Sequence, residues 1–227
     1  MRYRRPGLGR ALTIPPVLES WDKAGSPSEV RLDDFLASLA GWFDDVDGDI
    51  PLALDLRVSL PPNKPVASGG HDLDNYLLPI VRRYGHHRFF AVFGRKAHGA
   101  TSTLAIEPAV RAEDQSWSPQ MICRTRSSGQ SAAWKHEVAE ACAPSAPTHP
   151  VEGPIALQIH YRLSARRNWA QQWKPTIDAL GAVLGVADPA RPFHADDDRI
   201  VDLVLSRTID ETLGWDIEVQ VGWATAS

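Results

Sequence analysis

The stretch "GGHDLDNYLLPIVRRYG" carries Asp72 and Asp74 two residues apart, directly ahead of a run with helical character. Aspartates at i and i+2 of an extended segment point to the same side, so one hard cation can be shared between them. The same pair can equally be the polar start of a helix, because Asp accepts from the free N–H groups there and suits the positive end of the helix dipole. On these residues alone both readings stay open. A second acidic run, Asp196, Asp197 and Asp198 in "FHADDDRIV", precedes a strand-like segment, where a solvated turn is its ordinary role. Lys174 in "QQWKPTIDALG" reads by itself as a surface lysine on a helix.

Other reactive side chains point nowhere in particular. His86, His87 and His194 fall near loops, but no His-x-x-x-His spacing exists, and "HEVAE" lacks the second histidine of a zinc protease. Cys123 and Cys142 lie nineteen residues apart with no second pair beside them, which suits neither a zinc framework nor a disulfide scaffold. A reducing compartment is the default. Trp169 and Trp173 read as core residues rather than base-stacking surface.

The elements that position these groups come from an ordinary globular composition. With 227 residues the chain has room for one large domain or two smaller ones, and no apolar run is long enough to cross a bilayer. No membrane partner is expected. The basic start "MRYRRPGLGRALTIPP" is followed by no apolar segment of signal-peptide length, so a cytoplasmic protein is expected. Net charge is −4 with a pI near 6.0, so any affinity for nucleic acid must come from local patches. Three exist: Arg2, Arg4, Arg5 and Arg10; then Arg124, Arg126 and Lys135; then Arg162, Arg166 and Arg167.

Periodicity shows an order written twice. "RLDDFLASLAGWF" has helical spacing, "PLALDLRVSL" alternates as a half-buried strand, a loop leads into the Asp72 helix, and "RFFAVFGRK" and "TSTLAIEPAV" read as strands. The second half repeats this with "SAAWKHEVAEACA", "IALQIHYRL", "QQWKPTIDALGAVLG", "RIVDLVLSR" and "GWDIEVQVGW". An ungapped overlay at an offset of 96 residues places Pro79 on Pro175 and Gly85 on Gly181. These are read as an early-turn proline and a glycine just past each helix end.

In that order, "LTIPP", "DLDN" with its helix, and "RRNWAQQWKPTIDALG…FHADDDRIVDLVLSR" resemble the RusA family of Holliday junction resolvases. The resemblance spans nearly the whole chain as two family-sized copies, residues 1–113 and 114–227. It implies an α+β fold of two RusA-like repeats, each a small sheet packed by helices, in a pseudo-two-fold, fused-dimer arrangement. Family members are homodimers that cut branched DNA with magnesium, so the implied cofactor is Mg2+, with Mn2+ as a substitute and no small-molecule cofactor. The implied partner is branched DNA, and a fused dimer implies a monomer acting as a pseudo-dimer.

The family motif is Asp-x-Asp-Asn, a Lys four residues beyond the second Asp, and a later Asp-Asp pair. The first copy keeps Asp72, Asp74 and Asn75 but has Leu78 at the lysine position and His86-His87 where the acidic pair belongs. The second has Asn168, Ala170 and Gln171 in place of the acidic motif, yet keeps Lys174 and the acids Asp196, Asp197 and Asp198. The losses are complementary. The resemblance therefore implies one composite site with Asp72, Asp74, Lys174 and Asp197 catalytic and Asp72, Asp74, Asp196 and Asp197 around the metal. Arg2, Arg4, Arg5, Arg124, Arg126, Arg166 and Arg167 are the candidates for contacting DNA. Two other expectations stand beside it: a catalytically inactive descendant kept as a DNA-binding or protein-interaction module, or an unrelated α+β protein whose aspartates are caps.

Overall fold

The computed structural model describes residues 3–19, 23, 25–43, 48, 50–112 and 118–226. Arg2 and the expected boundary between residues 113 and 114 lie outside the described residues. Among those described, the chain is mixed α+β, with one eight-stranded sheet and five α-helices. The strands are β1 (Arg10–Ala11), β2 (Leu52–Leu60), β3 (Phe89–His98), β4 (Thr103–Pro108), β5 (Met121–Thr125), β6 (Ile155–Leu163), β7 (Ile200–Ile209) and β8 (Ile217–Thr225). The helices are α1 (Pro27–Ser38), α2 (Leu73–Arg83), α3 (Ala132–Cys142), α4 (Trp173–Asp178) and α5 (Gly181–Leu184).

Alternation in the strands decides which face the helices cover. Leu52, Leu54, Leu56, Val58 and Leu60 of β2 share one core with Phe35 of α1, Leu77 of α2 and Trp134 of α3. The opposite face of the sheet holds a smaller cluster of Tyr3, Ala53, Ala91 and Phe93. Helices α1 and α3 begin where a serine can cap them: Ser26 Oγ accepts from Glu29 N, and Ser131 Oγ from Trp134 N.

Two strands escaped the sequence reading, and both lie at the edges of the sheet. β1 has only two residues, too few to show a period. β5 alternates buried and exposed, but "MICRT" is short and Ile122 faces solvent.

The expected single helix over "QQWKPTIDALGAVLG" is broken. A 3-10 turn at Trp169–Gln172 leads into α4, and α5 follows separately. Pro175 lacks the N–H that would continue an α-helical ladder back to Gln171, which favours the tighter opening turn. Pro79 lies inside α2 rather than in its first turns. Gly85 follows the C-cap Tyr84 with φ +91, as a helix-ending glycine should. Gly181 does not play that part: it opens α5, and a Cβ there would meet Val186 Cγ1 at 2.8 Å, so close packing explains the glycine.

The sheet order is β1-β4-β2-β3-β7-β6-β8-β5. β2 runs parallel to β3 and antiparallel to β4, which pairs antiparallel with β1; β6, β7, β8 and β5 make the same three pairings. One antiparallel pairing, β3 with β7 from Ala91↔Ser206 to Arg95↔Asp202, joins the two sets. This junction positions the site. The parallel strands β2 and β3 end at the same edge, and β7, running the other way, begins there. The start of α2, which follows β2, is thereby brought against the residues just before β7.

Candidate functional site

Asp72 and Asp74 stand at the start of α2, and their environments decide against capping. Asp72 occupies the N-cap position, but its side chain makes no capping hydrogen bond; Oδ2 instead accepts from Asn75 Nδ2 at 3.0 Å. Asp74, one residue into the helix, is 2% exposed, and its Oδ2 is buried without a hydrogen-bond partner. A buried, unmet acceptor costs about 1–3 kcal/mol, which a surface cap never incurs. Asn168, aligned with Asp72, does cap: its Oδ1 accepts from Ala170 N at 3.1 Å.

The short 3-10 turn Asp197–Arg199 before β7 supplies the opposing acids. Asp197 is buried and ion-paired to the Lys174 ammonium. Lys174 also approaches Asp178 Oδ1 at 3.4 Å, and Asp178 Oδ2 accepts from Lys135 Nζ at 2.7 Å. Asp198 turns its carboxylate to Gly70 N at 3.2 Å, tying the loop before α2 to the turn before β7.

The charges are close enough to set one another's protonation. Burial, then the Asp197 charge, pushes the Asp72 carboxyl up to about 6, with Lys174 and Lys96 opposing. Burial pushes Asp74 up to about 7, against the pull of Lys174 and with the help of Asp197 and Asp72. Asp197 is likewise raised, chiefly by burial, with Lys174 opposing. For Lys174 burial works against the charge, but Asp74, Asp197 and Asp178 outweigh it and hold the ammonium above its usual range. Acids from both halves of the chain thus influence one another electrostatically, with Lys174 and Lys96 among them.

No family model matches this chain, and no curated protein does either.

Among the described residues, no three His, Cys, Asp or Glu side chains are grouped so as to hold a metal ion as they stand. The Lys174 ammonium neutralises the acids instead. The donor set nevertheless suits a hard cation: Asp72, Asp74 and Asp197 offer carboxylate oxygens, and one of them, Asp74 Oδ2, is unsatisfied. Asp196 lies apart from them. Its N–H donates to Gly185 O at 3.0 Å, and its carboxylate flanks Gly185 beside the Arg199 guanidinium. Asp198 is the neighbour whose charge reaches Asp72.

Beside Lys174 opens a cleft of 210 Å³ between α2 and the Trp169–Asp178 segment, lined by Asn75, Leu78, Gln130, Gln171 and Lys174 among others. Of the arginines, Arg126 and Arg166 are exposed, and Arg167 Nη2 donates to Ser127 O at 2.6 Å, joining their two loops. Arg4 is exposed elsewhere. Arg5 is paired with Asp55 at 3.0 Å and with Asp202, and lies over the Phe93 ring on the sheet face away from the helices. Arg124 is paired with Asp216 at 2.9 Å.

Two participants were not singled out in the sequence, Lys96 and Asp178, and Asp198 was named only as part of the acidic run. Lys96 carried a readable signal. It falls on the inward parity of β3 with Val92, and a lysine at an inward strand position must be paired. Asp178 follows Lys174 by four residues, the spacing of a helical ion pair.

Proposed function

We propose that this protein is a magnesium-dependent, structure-specific endonuclease acting on branched DNA through one composite active site. The observation that carries this reading is the Lys174–Asp197 ion pair together with the charges of Asp72 and Asp74, which lie close enough to shift with both. These are the residues that the resemblance to RusA resolvases assigned to a shared site, although each half lacks part of the motif. The recurrence of strand pairings in β1–β4 and β5–β8 supports the fused-dimer reading. So does the register: β2 and β6 each carry an irregularity after their first paired residue.

Asp72, Asp74 and Asp197 would hold the metal. When bound, magnesium polarises a phosphoryl oxygen and activates a water. Lys174 stands where an ammonium can balance charge developing on the phosphate once the acids are otherwise neutralised. The cleft beside it gives the strand an approach. One composite site cuts one strand per encounter, so forks, flaps and nicked branches suit it better than the paired cuts that resolve a four-way junction. The fused arrangement makes the chain a monomer in solution, with its pseudo-dimer interface internal.

The Lys174–Asp197 ion pair also favours a second reading, in which the lysine has permanently replaced the metal and the chain only binds branched DNA. One experiment separates them. Labelled four-way, fork and nicked duplexes are incubated with magnesium or chelator, beside Asp74→Asn. Magnesium-dependent cleavage lost in the variant supports the nuclease. Salt-sensitive binding without cleavage supports the binding module.

A further inference from the structure

Lys96 is 2% exposed and belongs to β3, in the half of the chain that supplies Asp72 and Asp74. Its ammonium donates to two backbone carbonyls, His71 O at 2.7 Å and Asp198 O at 2.6 Å. His71 immediately precedes Asp72, and Asp198 immediately follows Asp197. One side chain therefore grips both segments that carry the opposing acids, at the residue next to each acid. Burial lowers the pKa of Lys96, and Asp72, Asp198, Asp197 and Asp74 hold its charge in place.

We propose that Lys96 is a positioning residue that clamps the loop before α2 to the turn before β7 and so fixes the distance between the two acidic halves of the site. The proposal rests on reading Asp72, Asp74 and Asp197 as one site. Without the clamp, the Gly70–Asp198 bond is the one hydrogen bond among the described residues that still ties the loop before α2 to the turn before β7. A neutral side chain cannot replace the grip, whereas an arginine can still donate to both carbonyls.

The fold supplies its own control. At the other end of the β3–β7 pair, the buried Arg207 of β7 donates to Phe89 O at 2.9 Å and to His87 O. That grip also ends on two backbone carbonyls, but both belong to one segment, and no carboxylate among the described residues is paired with it. Removing either cation loosens a segment, yet only Lys96→Met loosens the acidic ones.

The test is residue-resolved hydrogen exchange on the full chain, comparing Lys96→Met, Lys96→Gln, Lys96→Arg and Arg207→Met. The amides of Gly70, Asp196 and Asp197 are each hydrogen-bonded, to Asp198 Oδ2, Gly185 O and Ala195 O. In Lys96→Met all three exchange faster together, by about tenfold or more, and in Lys96→Arg they return toward the parent rates. Arg207→Met leaves them unchanged and speeds the amide of Arg88 instead. Lys96→Gln, which spans one carbonyl at most, serves if the methionine variant does not fold. Where the parent cleaves branched DNA, kcat in Lys96→Met falls about tenfold or more while KM stays within about twofold. The proposal is overturned if only one acidic segment loosens, if neither does, or if Arg207→Met loosens them equally. A parent that never cleaves would end the nuclease reading, and the exchange rates would still judge the clamp.

Discussion

At one end of the central strand pair, a buried lysine of β3 grips the turn ahead of β7; at the other, a buried arginine of β7 grips the turn ahead of β3. The side chains around these two grips have opposite characters. The first end gathers Asp72, Asp74, Asp197 and Lys174, with an acceptor left unmet and two carboxyls held far above their ordinary range. The second replaces them with Asn168, Ala170 and His86. There Asn168 caps its turn, and His86 O accepts from the buried Trp169 Nε1 at 2.9 Å. The second end has an unmet atom of its own, His86 Nδ1, but no buried carboxylate among the residues at these aligned positions. The first retains buried like charges that lower stability, and such arrangements are found where the charges have a task.

The widest separation between the ends lies in activity. Under the proposed nuclease reading, Asp74→Asn lowers cleavage of branched DNA by about a thousandfold, a loss of about 4 kcal/mol in transition-state stabilisation, measured as single-turnover rates in magnesium. Ala170→Ser, at the aligned position, leaves the rate unchanged. Equal losses from both would break the contrast.

The order reverses for stability. Trp169→Ala empties a fully buried side chain of the second end and costs about 3–5 kcal/mol by denaturant unfolding, with cleavage by the folded fraction unaffected. Asp74→Asn moves the other way, and its effect depends on pH. Because Asp72 and Asp74 are held above the ordinary 3.8, at about 6 and about 7, each favours the fold while protonated. That contribution is complete below 3.8 and is lost as pH rises through the raised values. An asparagine does not ionise, so at pH 8 the variant melts higher than the parent, and below pH 4 the advantage disappears. A constant gap across that range would mean that Asp74 is not a strained carboxylate in the fold.

Much of this contrast was legible in the sequence, for identifiable reasons. Strands β6 and β8 announce themselves because a period of two survives wherever one face is covered, and β2 shows the same alternation although Ala53 and Asp55 on its other face are buried too. The acidic and lysine positions were legible through the ordered motif, not through any single residue. What escaped was set by tertiary contact. β1 and β5 are edge strands too short to show a pattern, and Gly181 is required by a neighbour's closeness rather than by its own backbone. Which of three consecutive aspartates faces Asp72 depends on the 3-10 turn at Asp197–Arg199, which turns Asp196 toward Gly185 and Asp198 toward Gly70. The pairings of Arg5 and Arg124 were equally out of reach, since Asp55, Asp202 and Asp216 come to them across the sheet.

The smallest effect addresses the residues that begin the two aligned turns. The side-chain Oδ1 of Asn168 accepts from the N–H of Ala170, so Asn168→Ala forfeits a cap and costs about 1 kcal/mol. Asp72 holds the same position with no such bond, so Asp72→Ala forfeits none. Its side-chain partner among the described residues, Asn75, is half-buried and can turn to water. At pH 8 the alanine also relieves a carboxylate whose ionisation the site resists, so the variant is at least as stable as the parent. Parallel urea titrations of the two variants read this directly. Equal destabilisation would make Asp72 a cap after all, whereas opposite signs leave its position to be explained by the acids it faces.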